Sequence, residues 1–207
     1  MILLCAATGT ELDACKRGTP RFAHLLTGVG AVHAARALSE RLVAGERPSL
    51  VVSSGFAGAL RGDLPVGTWV TARTLPAAGT LREAPPPAVP CAMVSSDVLV
   101  QGQRLDGDAV DMESVALAAV AHEHGLPFMV LRLVSDTPAD PLPRFLGGFT
   151  DAMAATSRRG KLGGIARGLR GVLDDPRGVV RVVREGRAWT RDLERGWTTF
   201  APLLSDA

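Results

Sequence analysis

The stretch AVDMESVALAAVAHEHGLPFMVLRLVSD, residues 109–136, decides how this chain is read. Asp111 and Glu113 end an extended segment, Ser114 to His124 has helix-forming composition, and Gly125 supplies a helix stop. Phe128 to Val134 is then a short continuous apolar run that ends in Ser135-Asp136, the pattern of a strand covered on both faces. Ionised carboxylates are costly to bury unless something hydrogen-bonds them. Either Asp111 and Glu113 lie on a surface turn, or they await a polar ligand. Two acids at the start of a helix and one at the end of the next strand can converge on one sheet edge.

The same alternation extends through the chain. Apolar runs at Ile2 to Ala7, Leu25 to Gly28, Leu50 to Ser53, Trp69 to Ala72 and Cys91 to Val94 are interleaved with helical patterns such as Ala31 to Ala44. They predict an α/β fold with a central mixed, largely parallel sheet covered by helices. Residues 76–90, with Pro85-Pro86-Pro87, predict an extended loop, either a connector or a lid. At 207 residues the chain is long enough for one sizeable core, read as a main domain over residues 1–145 with a helical extension over 146–207 packed on it.

No stretch approaches the roughly 18 uninterrupted apolar residues that span a bilayer. The opening Met-Ile-Leu-Leu-Cys-Ala-Ala-Thr lacks a basic n-region and reads as a first strand. Cys5, Cys15 and Cys91 have neither metal-ligand spacing nor an even number, which suits a reducing, cytoplasmic setting. His122 and His124 do not match a two-histidine zinc spacing and read as surface residues; no metal or other cofactor is expected.

The net charge of +2 is unevenly distributed: Arg158 to Arg195 holds eleven Lys or Arg against five Asp or Glu. Within it Leu162, Ile165, Leu169 and Val172 recur at helical spacing. After Pro176, Val179, Val183, Trp189, Leu193 and Trp197 fall near one side of a second helix, opposite Arg177, Arg181, Arg184, Arg191 and Arg195. That arginine stripe reads either as a solvated face over a core-packed helix or as a basic amphipathic surface on anionic lipid, at the inner membrane face. The stripe lacks the interleaved stacking aromatics of a nucleic-acid binder.

Three glycine-bearing turns are expected after strands: Ala7 to Glu11, Leu26 to Gly30 and Ser53 to Gly58. Beyond the carboxyl ends of strands, glycine lets backbone N–H groups approach a polar ligand closely. Gly28 and Gly30 lead into a helix, so an anion or sugar hydroxyl could sit at its N-terminus.

Together these segments resemble the purine nucleoside phosphorylase and methylthioadenosine/adenosylhomocysteine nucleosidase superfamily. Its marks are an acid-Met-Glu segment before a helix and a strand ending in Arg-x-x-Ser-Asp. The early Glu11, Gly28-Val29-Gly30, Gly55-Phe56-Ala57-Gly58-Ala59-Leu60 and Val94-Ser95-Ser96-Asp97 follow in the same order. The resemblance implies that Glu113 accepts hydrogen bonds from the ribose 2′- and 3′-hydroxyls, with Met112 against the sugar. Asp136 would be the general acid at purine N7, Glu11 the residue that activates water, and Leu99, Val100 and Ser135 the base slot. Gly28, Gly30, Phe56 and Gly58 would face the nucleophile or an anion, with Phe56 where a small hydroxyl residue is usual. Water and inorganic phosphate both remain as acceptors, and a homo-oligomer is implied.

The segments between Cys15 and Leu25 and between Ala59 and Val94 are shorter than in the nucleosidases, and the resemblance therefore implies a more open 5′ side. With DTPADPLP at 136–143 and the basic tail, the chain is most similar to the hopanoid-associated branch, implicated in releasing adenine from adenosylhopane, a lipid-linked purine nucleoside. Methylthioadenosine/adenosylhomocysteine nucleosidase and futalosine hydrolase activities are the alternatives within the superfamily. A non-catalytic nucleoside-binding or membrane-associated protein is the alternative of another class.

Overall fold

The computed structural model describes residues 1–98, 100, 105–140 and 143–205. The strands are β1 (Ile2–Ala6), β2 (Ala23–Leu26), β3 (Leu50–Ala59), β4 (Trp69–Thr74), β5 (Leu81–Arg82), β6 (Val89–Ser95), β7 (Ala109–Asp111) and β8 (Phe128–Asp136). The helices are α1 (Gly9–Gly18), α2 (Ala31–Val43), α3 (Ser114–Glu123), α4 (Arg144–Ala154), α5 (Arg158–Asp174) and α6 (Pro176–Ser205). The sheet is mixed and largely parallel, as expected. Among the described residues only the β3–β7 and β4–β8 pairs are antiparallel.

The sheet is not open. β3 pairs with β8 as well as β7, so β3, β7, β6, β4 and β8 form a closed ring, with β1 and β2 extending from β3. Continuous apolar runs arise because both faces are covered. In β1, Leu3 and Cys5 join the cluster under α2 and α3, whereas Leu4 and Ala6 join the cluster under α1 and α6. The C-terminal half of α6 belongs to this second core: Leu193, Trp197 and Phe200 are fully buried, and Trp197 Nε1 donates to Ser54 Oγ at 2.8 Å.

Three expectations change. Ser53 to Gly58 is not a turn after a strand but the second half of β3, held by its long pairing with β8. The Pro-rich stretch 76–90 contains β5, paired with Phe128 and Met129 at the start of β8, and serves as a connector remote from the end of that strand. Most of the apolar row Leu162, Ile165 and Leu169 faces solvent, because α5 turns glycines toward α4 instead. His122 and His124 are exposed, and the three cysteines are free and buried. Among the described residues no helix is long and apolar enough to cross a membrane.

Candidate active site

The parallel strands β1, β3 and β8 deliver their carboxyl ends to one side of the sheet, where a cavity of about 240 Å³ opens. Glu11, Phe56, Gly58, Met112, Glu113 and Asp136 all line it. Val100 and Ser135 do as well, while Leu99 lies outside the described residues. Gly28 and Gly30 are not in the lining.

Glu113 is almost wholly buried at the start of α3. Its Oε1 accepts the Gly30 N–H at 2.9 Å, and its Oε2 accepts from Arg132 Nη2 at 3.2 Å. Gly30 caps α2 at φ +91°, a backbone state that a side chain would strain. The helix terminus that was expected to meet a ligand anion therefore meets the protein's own carboxylate. A carboxylate has about four acceptor positions, so Glu113 keeps lone pairs for two hydroxyls. Burial, the largest influence, and the neighbouring Asp111 push its carboxyl up to about 7, with Arg132 and the Gly30 N–H acting the other way.

Arg132 is the hub of the site. Its guanidinium is 2% exposed, and Nε lies 2.7 Å from Asp111 Oδ2. Nη1 donates to the Phe56 carbonyl and Nη2 to Ser53 Oγ, each at 2.9 Å. Asp111, whose partner was not visible in the sequence, accepts from Ser95 Oγ at 2.6 Å, from the Ser114 N–H at 3.1 Å and from the Ser114 hydroxyl. A lone arginine in an otherwise apolar strand beside two upstream acids was the available signal.

Glu11 has a structural duty. It is the third residue of α1 in a capping box with Thr8: Oε2 accepts the Thr8 N–H at 2.9 Å and the Thr8 hydroxyl at 2.7 Å. Its Oε1 accepts the Phe56 N–H at 3.0 Å. Phe56 thus serves the site through its backbone, while its ring packs against Trp189 of α6, with centroids 6.2 Å apart.

Asp136 sits at the end of β8, register-paired with Gly58, where an added Cβ would stand 3.0 Å from Asp136 Oδ2. Ser135 Oγ donates to Asp136 Oδ1 at 2.7 Å. Burial raises the Asp136 carboxyl, the Ser135 hydrogen bond opposes this, and the charge of Asp140 adds to it. The arrangement brings two carboxyls that burial raises, Glu113 and Asp136, to the lining of one cavity. No group of three or more His, Cys, Asp or Glu that could hold a metal is found among the described residues.

Residues 94–159 match the model of the phosphorylase superfamily, a segment that contains Glu113, Arg132 and Asp136. The fold is shared with solved nucleosidase and futalosine hydrolase structures. The chain is similar to a 5′-methylthioadenosine/S-adenosylhomocysteine nucleosidase of Helicobacter pylori solved with butyl-thio-DADMe-Immucillin-A. That likeness has 18% identity and a TM-score of 0.56, over 80% of this chain and 97% of the other. It is equally similar to futalosine hydrolase of the same organism, at 17% identity and TM-score 0.56, over 84% and 97% of the two chains. A short sequence match of 57% identity links it to an uncharacterized protein of Mycobacterium tuberculosis over 35 residues, 17% of this chain and 47% of that relative. The matched region thus spans about half the length of that curated relative.

Proposed function

We propose that this chain cleaves the N-glycosidic bond of a purine nucleoside, with water as acceptor. The observation that carries the reading is the cavity in which Glu113 and Asp136 meet. Bond cleavage develops positive charge on the ribosyl ring and negative charge on the departing purine. A carboxylate at the sugar and a proton donor at the base therefore both favour the transition state. Glu113 holds the 2′- and 3′-hydroxyls, Met112 borders the sugar, and Asp136 shares its proton with the base. Glu11 retains an acceptor position on Oε1 for a water molecule.

Water is favoured over phosphate by the charges of the cavity. Its described lining has four carboxylates, Glu11, Asp111, Glu113 and Asp136, against one cation, Arg132. That guanidinium is already committed to Asp111, Glu113, Ser53 and the Phe56 carbonyl. A phosphate dianion would enter an acidic cavity with no uncommitted positive charge among the described lining residues.

The substrate we propose is an adenosine with a large apolar 5′ substituent, as in adenosylhopane of hopanoid synthesis. Val29, Val98, Val100 and Met153 give the cavity an apolar wall. Adenine release, followed by chromatography, should be faster with a lipid-modified adenosine than with methylthioadenosine and insensitive to added phosphate. Asp136→Asn should reduce turnover by at least about a hundredfold with the fold intact by circular dichroism. Near-normal turnover of that variant would refute the assignment.

A further inference from the structure

α5 is built with its faces exchanged. An added Cβ at Gly164 would stand 2.6 Å from the Ala152 nitrogen, and one at Gly168 would stand 2.8 Å from the Phe149 ring. At Gly171 it would stand 2.8 Å from the Phe145 backbone. The helix therefore packs on α4 through its smallest residues. Its largest apolar residues point away: Leu162 is 67% exposed, Ile165 42%, Leu169 55% and Leu173 82%. At 3.6 residues per turn these four fall within about 80° of one another.

A water-facing row of four large aliphatic side chains is a feature that soluble helices normally bury. Its borders are cationic. Arg158, Arg159, Lys161 and Arg170 are exposed on the same helix, whose acidic residue, Asp174, stands at its last position. Arg167 turns instead toward Asp151 of α4, at 2.8 Å. An apolar stripe edged by Lys and Arg complements a surface that is apolar within and anionic at its rim. A nucleic acid would meet the charges but not the leucines. The arginine face of α6 is less suited to insertion, because the apolar residues of its C-terminal half are committed to the core.

We propose that α5 docks this chain on an anionic lipid surface, its stripe lying in the headgroup and acyl boundary. The placement of α4 ties this to the site. Thr150 and Met153 of α4 border the cavity, so one side of the α4–α5 hairpin walls the site while the other meets lipid. A lipid-linked nucleoside would then reach the cavity from the membrane face, a consequence that rests on the function proposed above.

The test is flotation of the 207-residue chain with vesicles of phosphatidylcholine alone or mixed with phosphatidylglycerol. Binding is expected to the mixed vesicles only, and Leu169→Asp with Leu173→Asp should lower the bound fraction at least about tenfold. The same variant should cleave methylthioadenosine as the parent does, since neither leucine lines the cavity. Undiminished vesicle binding by the variant overturns the proposal. So does a parent dimer, seen by size-exclusion chromatography, that the substitutions dissociate while vesicle binding is absent. Absent adenine release with intact flotation would refute the catalytic reading and leave the docking surface standing.

Discussion

Replacing Glu113 by Gln removes one buried charge and leaves the side-chain volume nearly unchanged, so its consequence is read best as a change in pH dependence. In the folded chain the Glu113 carboxyl is held up to about 7 against an ordinary 4.5, chiefly by burial. Between those values the native state binds more protons at this site than the unfolded chain does. Stability therefore falls as pH rises through this window, and the full penalty is present above it. A displacement of that size corresponds to about 3 kcal/mol. Urea denaturation at pH 4.5, 6 and 8 should show the parent losing on the order of 3 kcal/mol relative to Glu113→Gln over this range. Asp136 titrates in both proteins and cancels from the difference. Parallel curves for the two proteins would show that Arg132 and the α2 terminus compensate Glu113 fully, refuting the claim that burial dominates.

Arg132→Met should be more damaging than the loss of either acid, because it strands Asp111 and Glu113 together in a buried setting. Breaking such a buried pair costs about 3–5 kcal/mol, a fall in melting temperature of roughly 6–20 °C for a chain of this size. A shift under about 2 °C would contradict the role of hub. Trp197→Ala should cost about 3–5 kcal/mol through cavity formation, while Trp197→Phe should retain much of that packing and lose the bond to Ser54 Oγ. Equal denaturation midpoints for the parent and Trp197→Ala would show that α6 is not part of the cooperative core.

Local sequence carries the elements whose two faces meet the same kind of environment. β1 and β8 are apolar on both sides, and α3 runs from Ser114 to Glu123, close to the span that composition and Gly125 indicate. The order of Glu11, Glu113 and Asp136 along the chain was legible, as was the sheet edge they share. Ring closure was not, because the β3–β8 pairing joins segments separated by five intervening elements, and neither strand's pattern names its partner. Nor could periodicity orient α5. A stripe of Leu162, Ile165 and Leu169 shows that the helix is amphipathic, but the close approach permitted at Gly164 and Gly168 determines which face turns inward. The duties of Glu11 and Gly30 were partly hidden for a related reason: capping and helix-terminus contacts satisfy backbone groups, and only the folded geometry shows which carboxylate fills them.

On the function proposed above, the sugar and base halves of the cavity face opposite electrostatic demands, and β8 contributes to both. In the sugar half the α2 terminus and the Arg132 guanidinium work against burial, and the Glu113 carboxyl settles at about 7, within reach of ionisation at neutral pH. The base half needs a carboxyl that can hold a proton, which a nearby guanidinium would oppose. Arg132 and Asp136 stand four residues apart on one strand, about 13 Å along it, with the register to β3 shifting between them. Asp136 is instead influenced by burial, by the Ser135 hydroxyl and by Asp140. The spacing Arg-x-x-Ser-Asp thus separates charge neutralisation from proton retention. Moving the arginine two residues nearer would bring it within about 7 Å of Asp136 along the strand, favouring the ionised form and removing the proton that a departing purine requires.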